Sequence, residues 1–492
     1  MKKNIIINIS LLLALGSCET FLTEEPKSLL APENFPASAE DGNLMLGGMM
    51  STLDGYYDRA FFLSVEIPSD QSEAKYASGD RYDMDHFTYT TGNQYFRSVW
   101  EEAYKIIGEA NLMTSAMSDD DSWAQPYIAA ARFYRAFQYF HLTRLWGQVP
   151  LRIDPVSTFD QAKDASKASE QEVYEQILAD LSYAEEHLPV AWESGSDDGR
   201  PTQGAAKALL AKVYLTMAGW PLKQTDKFQL AVNKANEVIS MGHYTLLEDF
   251  SEVFLIRNQN SSEHIWSVQY SDPSSGGTMM TVQSRPSGGG IKEGGWYFWN
   301  TSEAFMNTFN EQDERKSGTF LTELVEEING ETIITPFVDF GGGNELSARP
   351  CMKKWQDYGE GRGFTDNSRR TGLNFPVFRF SEIYLILAEA ENEANGPTQK
   401  ALDAVNKVRS RAGLEDLTGL GQTELREAIR DEWSFELAHE GKRRFNLVRW
   451  ELFDQVMAND PNGSTNYKPY MKLLPIPQNE ADLSGLAQNE GY

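Results

Sequence analysis

Cysteine, histidine and positive charge are all scarce in this chain, and long apolar runs are missing. Among 492 residues there are two cysteines, Cys18 and Cys351, and six histidines. A thiol nucleophile needs a positioned histidine, and no histidine stands at a suggestive spacing for that role. Lysine and arginine number 44 against 72 aspartates and glutamates, a formal net charge of −28. A surface this acidic repels phosphate backbones, which argues against nucleic acid as a partner. The apolar run at residues 5–15 is too short to span a bilayer. His-Glu-x-x-His, Gly-x-Ser-x-Gly and Gly-Lys-Ser/Thr motifs are absent, so no metal, acyl-enzyme or phosphate chemistry is signalled and no cofactor is expected. With 72 acidic residues, carboxylate pairs at glycosidase spacing arise by chance and carry no weight. Asp119-Asp120-Asp121 and the 460–464 segment are read as solvated turns; the latter lacks the glycine and terminal acid of a calcium loop.

What is present begins with a leader. Lys2-Lys3 precede the apolar run, which closes on Leu15-Gly16-Ser17-Cys18. Charge and length are those of a signal peptide over residues 1–17. The small-residue site ending in cysteine resembles the lipobox of bacterial lipoproteins, which implies that Cys18 becomes an acylated N-terminus; an ordinary cleavable signal is the alternative. Several acyl chains on one residue anchor stably where one would not. Removing residues 1–17 takes away two lysines and no acid, so the charge moves from −28 to −30. With Cys18 acylated, Cys351 is the one remaining thiol, which leaves no intramolecular disulfide and no cysteine metal site; it is expected to be buried and inert.

Hydrophobic residues make up 41% of the chain and aromatics 12%, enough for a substantial core. Helical periodicity runs through residues 96–117, 126–146, 170–188, 202–218, 226–241, 379–394, 398–412 and 423–440. The second opens with proline in its first turn and ends at Gly147. The last has Thr423 as its expected N-cap. Lengths of roughly 15 to 20 residues, in neighbouring pairs joined by short turns, predict a mainly α fold of stacked, tetratricopeptide-like helical hairpins. Residues 248–372 differ: glycines cluster at 276–277, 288–290, 294–295 and 341–343, with β-prone pieces at 264–270 and 332–340. They read as a loop-rich insertion in a single domain spanning 18–492, whose scaffold is 18–247 and 373–492. A second irregular region is expected at 61–95.

Several blocks, taken in order, resemble the SusD/RagB family of Bacteroidetes outer-membrane lipoproteins. They include Ala131-Arg132-Phe133-Tyr134-Arg135-Ala136-Phe137 through Trp146-Gly147-Gln148-Val149-Pro150; Pro201-Thr202 with Ala205-Ala206-Lys207-Ala208-Leu209-Leu210; and Arg379-Phe380-Ser381-Glu382-Ile383-Tyr384. Glu440-Gly441-Lys442-Arg443-Arg444-Phe445, Leu474-Pro475-Ile476-Pro477 and the closing Gln488-Asn489-Glu490-Gly491-Tyr492 follow. The pattern departs at Trp146, where phenylalanine is usual, and at Glu490, where proline is usual. The resemblance implies a non-catalytic, lipid-anchored protein on the outer face of the outer membrane. It would capture oligosaccharides as the hinged lid of a SusC-like TonB-dependent transporter. A peptide-binding lid and a lipid-anchored glycoside hydrolase are the alternatives. Arg132, Arg135, Arg379 and Glu382 lie on core helices and are expected to form structural ion pairs.

Sugars present C–H faces that stack on flat rings, and hydroxyls that need polar partners. The leading candidate is Trp296-Tyr297-Phe298-Trp299, with Trp296, Tyr297 and Trp299 as ligand contacts and Phe298 as an anchor of the insertion. The second is the 70–95 region, with Asp70, Arg81, Tyr82 and Tyr89. A third groups Trp355 with Tyr358, Arg362, Arg369 and Arg370.

Overall fold

The computed structural model describes residues 35–74, 78–163, 166–193, 199–270, 277–284, 296–328, 331–336, 350–355 and 370–492. The leader, Cys18, most of the expected glycine clusters, and Tyr358, Arg362 and Arg369 lie outside the described residues. Among the described residues no helix is long and apolar enough to cross a membrane.

The main helices are α1 (Ala39–Asp58), α2 (Ala60–Glu66), α3 (Asp80–Asp85), α4 (Gln94–Ala116), α5 (Gln125–Trp146) and α6 (Glu170–His187). They continue as α7 (Gln203–Ala218), α8 (Lys227–Ser240), α9 (Phe380–Asn395), α10 (Gln399–Arg411), α11 (Gln422–Glu436) and α12 (Arg443–Arg449). From α4 to α10 each packs on the next in sequence. α1 lies against α4, and α11 against α9. That succession is the stacked-hairpin array expected from the periodicity. The stack runs from α8 to α9 across the whole insertion, so 241–379 interrupts the chain without breaking the scaffold.

Local chemistry sets the helix ends. Asn93 accepts from the N–H groups of Tyr95 and Phe96, Ser169 closes a capping box with Glu172, and Thr202 accepts from Ala205 N. Gly147 ends α5 at φ +73°, a conformation that costs glycine little. Thr423 is not the cap of α11: that helix begins at Gln422, and the Glu424 carboxylate reaches back to Gly421 N at 2.6 Å. The expected irregular region also needs correction. Its first residues form α2, all seven of which are buried. With no polar face, α2 has no amphipathic period for the sequence to reveal.

Four short strands position the site. β2 (His264–Val268) pairs antiparallel with β4 (Phe375–Arg379), closing the insertion at its base. β1 (Ser72–Ala74) pairs antiparallel with β3 (Trp299–Thr301), Ala74 opposite Trp299 and Ser72 opposite Thr301. The expected strand at 332–340 appears as Glu331–Pro336, hairpinned with Glu323–Ile328.

The family-motif charges are structural. Arg135 makes a forked pair with Asp180 at 2.6 and 2.8 Å. Glu382 lies between Lys212 (3.1 Å) and Lys442 (3.2 Å). Arg132 sits 4.0 Å over the Tyr183 ring and 3.9 Å from Asp119, which also accepts from Tyr183 Oη. Arg379 binds Glu263, Glu436 and Glu440 at 2.7–2.9 Å. Cys351 is fully buried.

Candidate functional site

The 296–299 run alternates half-buried and buried side chains, with Tyr297 in the left-handed region at φ +52°. Trp296 N donates to Val282 O and Phe298 N to Gln283 O, both at 2.7 Å, which lays the segment along the short helix Met280–Ser284. The pairing of β3 with β1 then holds Trp299 inward. Tyr297 and Trp299 are each 1% exposed, whereas Trp296 and Phe298 remain half-buried at the surface.

Trp296 and Phe298 stack with centroids 4.9 Å apart and planes 28° apart. The Arg81 guanidinium lies 3.7 Å over the Phe298 ring, and that of Arg59 lies 5.7 Å from it. Arg59 Nη2 and Arg81 Nη1 both donate to Tyr95 Oη, at 2.9 and 2.7 Å. Each partner comes from a different element. Arg59 is the single non-helical residue between α1 and α2, Arg81 lies in the first turn of α3, and Tyr95 lies in the first turn of α4. Tyr82 follows Arg81 on α3, half-buried, and stacks on His86 at 3.7 Å. The Phe298 ring is thus covered by Arg81 and Trp296, and the arrangement offers the half-buried Trp296 indole near guanidinium N–H donors, suited to a ligand with both C–H faces and oxygen acceptors.

Four of the expected contact residues are corrected by burial. Trp299 packs edge-on to Phe62 at 5.1 Å inside the core. Tyr297 is sealed with φ +52°. Trp355 is 1% exposed, stacks on Phe375 at 4.9 Å and donates Nε1–H to His439 O. Tyr89 is 4% exposed and donates to Met471 O. None presents a ring face to solvent. The Asp70 carboxylate is held bidentately by Arg443 at 2.6 and 2.8 Å. Arg370 lies beside Asp58 at 3.7 Å and donates to Gly277 O at 2.6 Å. The structure therefore brings Trp296 and Arg81 together and adds Arg59, Tyr95 and Phe298, which the sequence pattern does not assign to the ligand. Nothing local marks Arg59.

A cleft of about 620 Å³ lies elsewhere, between α4 and residues 150–162. Its exposed apolar residues, Leu112 and Val156, are aliphatic, Trp100 is buried in its wall, and the half-buried Tyr104 donates its hydroxyl to Pro150 O. No group of three or more His, Cys, Asp or Glu side chains is placed to hold a metal among the described residues. Asp460 Oδ1 instead accepts from the backbone of Asn462 and Gly463.

Beneath the site, Asp85 accepts from Ala74 N of β1 and from Asn462 Nδ2, both at 3.1 Å on Oδ2. Burial, reinforced by Asp460 and Glu73, pushes its carboxyl up to about 8. The folded state thus keeps a proton on Asp85 that the unfolded chain gives up near pH 4. Stability from this group is full below pH 4 and declines as pH rises to about 8, by at most about 1.4 kcal/mol per pH unit. Asp85→Asn keeps one acceptor oxygen for both donors. Melting temperatures of the two proteins should coincide near pH 4 and diverge by pH 9, with the variant higher; parallel curves would contradict the assignment.

The fold and site together define a stack of helical hairpins whose inserted loops lay aromatic rings against guanidinium groups from the N-terminal helices. The SusD family model matches residues 342–492, and a second, described as "Starch-binding associating with outer membrane", matches residues 23–215. SusD-like protein P2 of Formosa agariphila is 30% identical over 521 residues, covering 100% of both chains. A crystal structure of a SusD homolog from Bacteroides thetaiotaomicron superposes with a TM-score of 0.83 at 24% identity, covering 95% of this chain and 100% of that one. Surface glycan-binding protein A from the same organism, in complex with laminarihexaose, gives 0.74 at 20% identity, covering 92% and 100%. This chain belongs to the SusD/RagB family.

Proposed function

We propose that this protein captures oligosaccharides at the cell surface without acting on them chemically. The observation that carries the proposal is the half-exposed Trp296–Phe298 stack flanked by Arg59 and Arg81. Rings of that kind bind the apolar face of a pyranose, while guanidinium N–H groups meet its oxygens. Similarity to a protein solved with laminarihexaose, and to a family described as starch-binding and associated with the outer membrane, supports the same reading. The lipobox-like leader adds an acyl anchor on Cys18. Family membership adds the partner: a SusC-like TonB-dependent transporter that this protein covers as a hinged lid. Ligand held on the ring platform is enclosed between the two proteins when the lid closes, and energy transmitted through TonB drives import.

Purified protein lacking residues 1–17 should be titrated calorimetrically against neutral and acidic oligosaccharide pools and a peptide pool, with reducing ends assayed in parallel. Saturable binding to a glycan pool with no new reducing ends is the expected result. Binding confined to peptides would overturn the choice of cargo, and released sugar ends would make the protein a hydrolase.

A further inference from the structure

Arg144 lies in the last turn of α5, its guanidinium 3.7 Å over the Phe140 ring and 3.8 Å over the Phe445 ring. Its Nε donates to Phe140 O at 2.9 Å. Arg152 and Arg444 also pair with no carboxylate, but both hand their Nη groups to backbone carbonyls. Arg144 does not. Among the described residues, no protein acceptor lies within hydrogen-bond distance of its Nη1 or Nη2. Four N–H donors of a charged group are therefore left to whatever else reaches them.

Arg144 forms part of the wall of a cavity of about 20 Å³, room for one water-sized species. Phe61, His141, Phe445, Lys212 and Lys442 share that wall, so the cavity lies where α2, α5, α7 and the start of α12 meet. The charges around it do not balance. Glu382 serves both Lys212 and Lys442, at 3.1 and 3.2 Å. Glu440 also reaches the wall, but Arg379 and Lys354 already hold its oxygens. Nothing is left for Arg144. Lys212 is 3% exposed, and burial, with Arg449 and Lys442 adding to it, pushes its ammonium down to about 7 against the pull of Glu382. His141 is 4% exposed and held well below its usual value by burial, Arg144 and Lys442, so at pH 7 it is neutral.

Burying a cation without a counter-charge is costly, and a water molecule brings no charge to offset it. From this cavity we infer a binding site for a small monovalent anion of halide size, held by the Nη groups of Arg144 and the ammonium groups of Lys212 and Lys442. Charge-assisted hydrogen bonds of that kind are the strong ones. Sulfate, phosphate and the acid groups of sugars are too large for the space, so the anion stabilises the frame and takes no part in gripping a glycan.

Thermal melts of protein lacking residues 1–17, in sodium chloride, bromide and gluconate at one sodium concentration and pH 7, test it. Gluconate is too large to enter. Chloride and bromide should raise the melting temperature by about 2 °C or more over gluconate, with a saturating dependence on halide concentration. Arg144→Gln should melt at one temperature in all three salts. A wild-type crystal soaked in sodium bromide should show an anomalous bromine peak inside the cavity, in contact with Arg144 and Lys212. That map needs no variant, so it decides the matter even if Arg144→Gln fails to fold. Equal wild-type melting in halide and gluconate, a cavity without bromine, or an Arg144→Gln protein that keeps the full halide shift would each overturn the inference.

Discussion

Trp296→Ala should weaken oligosaccharide binding by about 30- to 150-fold while leaving the protein folded. That magnitude follows from the apolar area a sugar face would cover on one indole, plus the ring-stacking contribution, together roughly 2–3 kcal/mol. The indole is half-buried and its stacking partner, Phe298, shares the surface, so its loss removes little core. Trp299→Ala supplies the contrast. That side chain is 1% exposed and packs on Phe62 within the pairing of β1 and β3. Its truncation should cost about 3–5 kcal/mol of stability. Any effect on binding would then follow from a loosened β1–β3 ribbon. Calorimetric titration with one glycan preparation, beside thermal melts of both variants, separates the two outcomes. Undiminished affinity in Trp296→Ala would remove the ring platform from the binding site.

The largest effect on stability should come from Arg379. It lies at the end of β4 and is 1% exposed. Nε and Nη2 grip Glu440 at 2.8 and 2.7 Å, while Nη1 reaches Glu263 and Glu436 at 2.8 and 2.9 Å. Lys354 joins through Glu440 (2.8 Å) and Arg411 through Glu263 (3.1 Å), and Arg411 also contacts Glu436. Three cations therefore face three carboxylates in the interior, and Arg315 extends the group from Glu436 (3.4 Å) to Asp313 and Glu432. Burial alone would push the Glu436 carboxyl up, but Arg411, Arg379 and Arg315 together hold it well below its usual range. Arg379→Ala leaves the carboxylates in excess where water cannot solvate them. Removing one member of a buried pair costs about 3–5 kcal/mol. Denaturant titration should show a loss of that order, or the variant should fail to accumulate as folded protein. A change below about 1 kcal/mol would mean that water reaches the cluster. Since Glu263 and Lys354 belong to the insertion and Glu436 and Glu440 to the C-terminal scaffold, the network also ties the loops that present the site to the helical stack.

Much of the architecture was legible in the sequence because helix formation is local. Residues 126–146 carry a proline in the first turn and Gly147 at the end, and the observed α5 is Gln125–Trp146. The motif arginines and Glu382 could be assigned to the core because they recur among aromatic residues on these helices, and their carboxylate or lysine partners are where that reading needs them. The reading failed where burial is not periodic, as in α2, and where exposure depends on a distant partner.

The sequence by itself determined the hairpin scaffold, the family and the segment in which the exposed rings occur. The tertiary structure alone decided which rings those are. Trp296 and Trp299 are both tryptophans in one short run; the antiparallel register of β3 on Ser72–Ala74 holds Trp299 in the core, while Trp296, ahead of the strand and bonded to Val282 O, stays half-buried. It also brought Arg59, from a break between two helices, onto the same phenol as Arg81. Strand register and convergence of that kind are contacts between segments far apart in the chain, and no local pattern of residues encodes them.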